Sequence, residues 1–210
     1  MTISSNVLVM ALKSNILHQL NLAREDVIVT LTLPTKKTPA ELSIYKVFVD
    51  PSGKHLLITT EQGENFYCYE GWTKARPLGK FRMVVESVAW NPLPPSSTYS
   101  KTSTREILLG ARNGTIYEAI LDAHDDIFKS QDRYLQAVFT LPEKQPVTGL
   151  KCESYLSTGS SRKGAIIATT STRIYQFTGS LDKKNDDNGK LFEALFEPYR
   201  NASPSKPGSI

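Results

Sequence analysis

Residues 107–120 read ILLGARNGTIYEAI, and residues 7–20 read VLVMALKSNILHQL. Laid over each other without a gap, they place apolar over apolar at the first three positions, Ala11 over Ala111, Ile16 over Ile116 and Leu20 over Ile120. Residues 56–69, LLITTEQGENFYCY, and 165–177, AIIATTSTRIYQF, follow the same plan. Each is a small-apolar run, a polar turn, and an apolar–aromatic pair that recurs as Phe66-Tyr67, Ile116-Tyr117 and Ile174-Tyr175. With Ile16, Phe66, Ile116 and Ile174 as equivalents the spacings are 50, 50 and 58, the range of solenoids, propellers and arrays. The unit is β rather than helical, because runs of Val, Ile, Leu and Thr flank turns of Gly, Asn or Ser and lead into alternating polarity. Asn113-Gly114 is the clearest hairpin turn.

Working outward, a strand-like run precedes each later hairpin: Ile44 to Val49 before Asp50-Pro51, Val85 to Trp90 before Asn91-Pro92, and Val147 to Cys152. Proline after the first strand forces an extended predecessor and ends pairing. A further run follows each of the first three hairpins, at Val27 to Leu33, Arg76 to Phe81 and Ala137 to Leu141. Four strands every ~50 residues make the blade of a β-propeller. The prediction is all-β: a partial β-propeller of about four blades over residues 1–200, with a disordered tail at 201–210. Pro94 to Thr104, Asp122 to Asp132, Ser154 to Lys163 and Leu181 to Lys190 read as surface insertions. Residues 191–197, LFEALFE, place Leu191, Leu195 and Phe192, Phe196 at i,i+4 spacing and predict a short helix, an outer strand being the alternative. No strand is legible before the first hairpin, and the last unit stops soon after its own. The sequence therefore predicts a piece of a larger propeller.

The 210 residues carry 25 Lys+Arg and 21 Asp+Glu, a net charge of +4 spread as +1, +1, −1 and +3 over residues 1–50, 51–100, 101–150 and 151–210. Nucleic-acid binders cluster their basic side chains on one stripe, so this dispersed surplus argues against that class. No signal-peptide pattern opens the chain, and no run approaches the ~18 apolar residues that span a bilayer. Cys68 and Cys152 form no CxxC or Cys/His pattern for zinc and read as small buried hydrophobes.

The candidate chemical sites reduce to structural readings. Gly159 to Gly164 has glycines at phosphate-loop spacing, but Ala165-Ile166 replaces the required Lys and Ser/Thr, so it reads as a surface loop. His124-Asp125-Asp126 has no nucleophile beside it and reads as a solvated acidic loop. His18 and His55 lack a second His at ligand spacing and read as hydrogen-bonded surface or rim residues. Tyr67, Tyr117 and Tyr175 read as core between blades rather than as a stacking platform, and Trp90 likewise. Asn113 and Asn201 match the glycosylation pattern but read as turn chemistry. Lys46, Ser87 and Lys151 on the preceding strands offer no carboxylate or His constellation of the sort a propeller enzyme would need. No catalytic, cofactor-binding or metal residue is assigned.

The runs IYKVFVDPSGKHLLITT (44–60), Arg76-Pro77-Leu78, VESVAWN (85–91), ILLGARNGTIYEA (107–119), and Ile167 to Thr170 with Ile174 to Phe177 resemble the N-terminal propeller of the deep orange family, the vacuolar protein sorting-associated protein 18 family. The resemblance implies a non-enzymatic scaffold subunit of the HOPS and CORVET tethering complexes. These act in vesicle docking and fusion and in vacuolar protein transport, on the cytoplasmic face of the late endosome and vacuole (lysosome) membrane. It also implies peripheral membrane association, with other tethering subunits and SNARE or Rab-type trafficking proteins as partners and neither nucleic acid nor a small-molecule substrate. The family's helical solenoid and RING-type zinc domain have no counterpart in these residues, so their chemistry does not carry over.

Overall fold

The computed structural model describes residues 1–92, 100–124, 134–156, 162–181 and 191–200. Its strands form four antiparallel sheets, and in each sheet the spatial order of strands is the order of the chain. The chain divides into two compact units, Met1–Val85 and Glu86–Ile210.

The first unit holds two four-stranded sheets. Sheet 1 is β1 (Thr2–Ser4), β2 (Val7–Ala11), β3 (Ile16–Asn21) and β4 (Arg24–Thr32), and sheet 2 is β5 (Ile44–Val49), β6 (His55–Thr60), β7 (Asn65–Tyr69) and β8 (Arg76–Leu78). β1 corrects the expectation that the first hairpin lacks a preceding strand: Thr2, Ile3 and Ser4 pair with Val9, Leu8 and Val7. Three residues are too few for alternation to show in a sequence. Alternate residues of sheet 1, among them Val9, Leu17 and Leu31, enter a core shared with Val47, Ile58 and Phe66 of sheet 2. Every residue of β6 is buried.

The second unit contains sheet 3, made of β9 (Val85–Ala89), β10 (Ser103–Ala111), β11 (Thr115–Asp122) and β12 (Leu135–Thr140). It also contains the three-stranded sheet 4, made of β13 (Gly149–Leu156), β14 (Arg162–Thr169) and β15 (Ile174–Ser180), and the helix α1 (Glu193–Arg200). The i,i+4 apolar pattern yields the helix, with Leu191, Phe192, Leu195 and Phe196 all buried. Glu193 in its first turn and Arg200 in its last complement the helix dipole. Phe196 packs against Phe139 and Phe177 at ring distances of 5.5 and 4.8 Å. The helix sits close because the sheet gives it glycines. A Cβ on Gly164 would meet Leu195 Cδ2 at 3.1 Å, and one on Gly179 would meet Leu195 Cα at 3.2 Å.

The four repeated hairpins all form, but their pairing shifts the sequence alignment. Asn15, Gly63 and Gly114 each end a three-residue loop with φ of 60°, 77° and 81°. Each donates its N–H to the carbonyl three residues back, on Leu12, Thr60 and Ala111. This is the type I turn closed by a left-handed residue, where glycine or asparagine is favoured. The fourth hairpin has a two-residue loop, Ser171-Thr172, one residue shorter than the others, with Thr170 N–H donating to Arg173 O at 2.9 Å. The cross-strand pairs Ala11–Leu17, Thr59–Asn65, Gly110–Ile116 and Thr169–Ile174 therefore correspond. Ile16 over Ile116 is off by one position, and Phe66 is off by one as well. A one-residue slip in a strand exchanges the faces, so Leu17 rather than Ile16 is the fully buried counterpart of Ile116.

Strands also run into segments expected to be loops: β10 begins at Ser103, β13 extends to Leu156 and β14 begins at Arg162. The tail at 201–210, most of the Pro94 to Thr104 insertion and all of residues 182–190 lie outside the described residues.

Candidate functional site

Two buried polar corners occupy corresponding places in sheets 2 and 3. In sheet 2 the β5–β6 connection is organised by Asp50. Its Oδ1 accepts the N–H groups of Lys54 and His55, both at 2.8 Å, and its Oδ2 accepts the N–H of Ser52 at 3.0 Å and the Ser52 hydroxyl at 2.5 Å. Four donors on one carboxylate fix the turn that delivers His55 into the interior. His55, 5% exposed, and the fully buried Tyr67 share a hydrogen bond of 2.7 Å between Nδ1 and the phenol oxygen. Tyr69 meets the imidazole edge-on at 5.1 Å, Trp72 meets Tyr67 at 5.7 Å, and the Arg76 guanidinium lies 4.1 Å from the Trp72 ring centre. This is a satisfied aromatic corner, not a surface histidine. The expectation of a surface or rim position for His55 is corrected by the Asp50 turn, which draws its backbone inward.

In sheet 3 the corresponding pair is Glu106 and Glu118. His55 pairs with Tyr69 as Glu106 pairs with Ile120, and Tyr67 pairs with Leu57 as Glu118 pairs with Leu108. Both glutamates are buried, at 1% and 0% exposure. Glu118 accepts the backbone N–H of Leu191 at 2.8 Å through Oε1 and that of Phe192 at 3.2 Å through Oε2. Burial pushes its carboxyl up to about 7; these two N–H groups oppose the shift and the neighbouring Glu106 adds to it. The Tyr134 phenol is raised by burial first and then by the charges of Glu118 and Glu106. Asn91 donates from Nδ2 to the Glu106 carbonyl at 2.9 Å. A carboxyl near 7 is the range of a general acid or base. Here both oxygens are taken up by backbone donors beneath α1, so the group holds the helix start rather than facing a substrate.

A family description, "Pep3/Vps18/deep orange beta-propeller domain", matches residues 1–208. The chain belongs to the Pep3/Vps18/deep orange propeller family. It is 31% identical over 210 residues to the "Vacuolar protein sorting-associated protein 18 homolog" of Danio rerio, covering 97% of this chain and 20% of that protein. It is 34% identical over 144 residues to the "Vacuolar sorting protein 18" of Arabidopsis thaliana, covering 66% and 14%. It is 28% identical over 151 residues to the "Vacuolar membrane protein pep3" of Schizosaccharomyces pombe, covering 71% and 16%. The chain thus spans about a fifth or less of the curated relatives it matches. Its all-β architecture of four antiparallel sheets is that of a partial propeller.

Within this family member, the residues singled out from sequence do not gather into one site. Tyr67 is core, whereas Tyr117 and Tyr175 are half-buried and stand one row away, opposite Leu109 and Ala168. The three tyrosines are therefore not one stripe. The Tyr175 hydroxyl bonds to Glu143, which Arg173 also meets at 3.0 Å. Trp90 is half-buried. His18 is half-buried, with Nδ1 3.2 Å from Thr30 Oγ1, and His124 is exposed; Asp125 and Asp126 lie outside the described residues. Gly164 is in β14, while residues 157–161 also lie outside.

Asn113 accepts the Thr115 N–H through Oδ1, as a turn residue does, and Asn201 is not among the described residues. Ser87 is buried and donates to Val147 O at 2.6 Å, Lys46 lies against the Tyr45 ring, and Lys151 is exposed beside Glu153. Cys68 and Cys152 are buried free thiols, each pushed up to about 12 chiefly by burial. Among the described residues no group of three or more His, Cys, Asp or Glu is placed to hold a metal ion. The Glu106–Glu118 pair was missed from sequence. An acidic residue in an otherwise apolar strand, at Glu106 in TREILLGA and Glu118 in TIYEAI, was the available signal.

Proposed function

We propose that this chain is a non-enzymatic interaction module of a vesicle-tethering assembly of the HOPS and CORVET type, acting in docking and fusion and in vacuolar protein transport. It works on the cytoplasmic face of late endosome and vacuole (lysosome) membranes. Residues 1–200 serve as its propeller domain, with other tethering subunits and SNARE or Rab-type trafficking proteins as partners. The observation that carries this reading is the family match over residues 1–208, together with relatives named for vacuolar sorting. Among the described residues no helix is long and apolar enough to cross a membrane. The buried Glu118, which an enzymatic reading would start from, is spent on two backbone N–H groups.

The mechanism is positional: rigid sheets present loops and edges, and a few anchoring side chains carry the binding energy. Deleting the coding segment for this chain in its own cell is expected to divert soluble vacuolar hydrolases to the cell surface. It should also release the tagged protein's co-purifying tethering subunits. Normal hydrolase delivery with an unchanged set of co-purifying proteins would overturn the proposal.

A further inference from the structure

The last strands of the four sheets differ in how they protect their free edges. β8 is three residues long and contains Pro77, which cannot donate to an added strand. β4 is bridged at Thr32 to Lys74. β15 has α1 against it, and its Thr178 N–H reaches the Tyr199 hydroxyl at 3.4 Å. β12, with the sequence LQAVFT, has no charge and no proline, and among the described residues no strand lies beyond it in sheet 3. An apolar, charge-free edge is a template for another strand.

The surroundings of this edge are shaped. A groove of about 440 Å³ runs along β12, lined by residues 136–140 and by Glu193 and Arg200 of α1. Ala137 and Thr140 are exposed along it. Arg200 Nη2 donates to the Val138 carbonyl at 3.2 Å and to Glu193 Oε1 at 3.1 Å. The Val138 carbonyl, at the bulge where β12 shifts register against β11, is thus already taken by the guanidinium, and an added strand would pair with the other outward groups of β12. Arginine has five N–H donors and binds carboxylates in a forked geometry.

We propose that the β12 edge and the facing side of α1 form a docking groove for an extended peptide segment of a partner protein. The peptide adds as a strand to β12, and one of its acidic side chains meets Arg200. Backbone hydrogen bonds supply affinity and the Arg200 contact supplies direction, as in other strand-addition interfaces. The proposal stands apart from the sorting role: absence of peptide binding leaves that role in place, and a sorting defect says nothing of this groove.

The probe is a fluorescein-labelled peptide, Thr-Val-Thr-Val-Thr-Glu, titrated by anisotropy against the full 210-residue chain, with amide hydrogen exchange locating the site. Saturable binding is expected, with new protection at residues 135–140. Methylating alternate backbone nitrogens of the peptide is expected to weaken binding at least about tenfold, a loss of about 1.4 kcal/mol. Arg200→Glu is expected to weaken the same peptide at least about tenfold and to favour a peptide ending in lysine. Ala137→Pro removes one edge donor and should also weaken it. The methylated peptide tests strand pairing on unaltered protein, so the result stands even where a variant does not fold. No binding up to about 1 mM, equal binding of the methylated peptide, or protection confined to other strands would overturn the proposal.

Discussion

At corresponding positions of their central hairpins, sheet 2 holds His55 and Tyr67 where sheet 3 holds Glu106 and Glu118. The first pair donates and accepts within itself, and its backbone is anchored by Asp50 in the adjacent turn, so these partners lie within 20 residues of one another. The second pair consists of two acceptors. Carboxylates cannot satisfy each other when ionised, so donors must arrive from elsewhere. For Glu118 they come from Leu191 and Phe192, 73 and 74 residues later in the chain. The His55–Tyr67 hydrogen bond of sheet 2 is thus made within one hairpin, whereas Glu118 of sheet 3 is tied to a distant segment. At this one buried position a phenol finds its partner in the same hairpin, whereas a carboxylate takes donors from a later part of the chain.

Four experiments bear on this contrast. Tyr67→Ala removes a fully buried aromatic together with its hydrogen bond to His55, and is expected to cost about 3–5 kcal/mol in a urea unfolding titration. A cost near zero would mean that the aromatic corner does not hold sheet 2. Glu118→Ala strands two backbone N–H groups and is expected to cost about 1–3 kcal/mol. Hydrogen exchange should show the Leu191 and Phe192 amides losing protection while those of β6 and β7 keep theirs, and unchanged protection at Leu191 and Phe192 would break the comparison.

The third experiment uses pH. Glu118 has its carboxyl near 7 in the folded chain against 4.5 as its ordinary value, so the folded state binds this proton more readily. Its ionisation therefore weakens the fold above pH 7, and the penalty fades as pH falls from about 7 toward 4.5. Thermal unfolding should show stability rising through that window, and Glu118→Gln should flatten the rise. A rise of equal size in the Gln variant would assign it to other groups.

The smallest effect is the one expected to be the same in both units. Cys68 and Cys152, each pushed up to about 12, should stay unreactive toward a thiol reagent at neutral pH until the chain unfolds. Rapid labelling of either would show that its sheet opens.

Much of this fold was legible because each hairpin writes itself twice: as apolar alternation, and as a turn ending in Gly or Asn. What the alignment lost was a single position, because Asn15, Gly63 and Gly114 fix the loop length through backbone conformation, whereas apolar identity alone tolerates a slip. That slip hid the corners. With Phe66 set over Ile116, Tyr67 falls over Tyr117 and Cys68 over Glu118; with the observed pairing, Glu118 stands over Tyr67. β1 was illegible because three residues hold less than two periods of a strand. The helix was legible from four apolar residues, but its attachment was not, since nothing near Leu191 in sequence marks Glu118 as the acceptor.

Because strand order in every sheet follows chain order, each sheet is complete as soon as its last strand has left the ribosome. Synthesis proceeds at about 5–20 residues per second, while a hairpin closes in about 1–10 μs. Sheets 1 and 2 therefore finish pairing during translation, one after the other. Sheet 3 emerges with its strands in place but with Glu118 still waiting for the amides of Leu191 and Phe192, so its last buried charge is settled only after sheet 4 has been made.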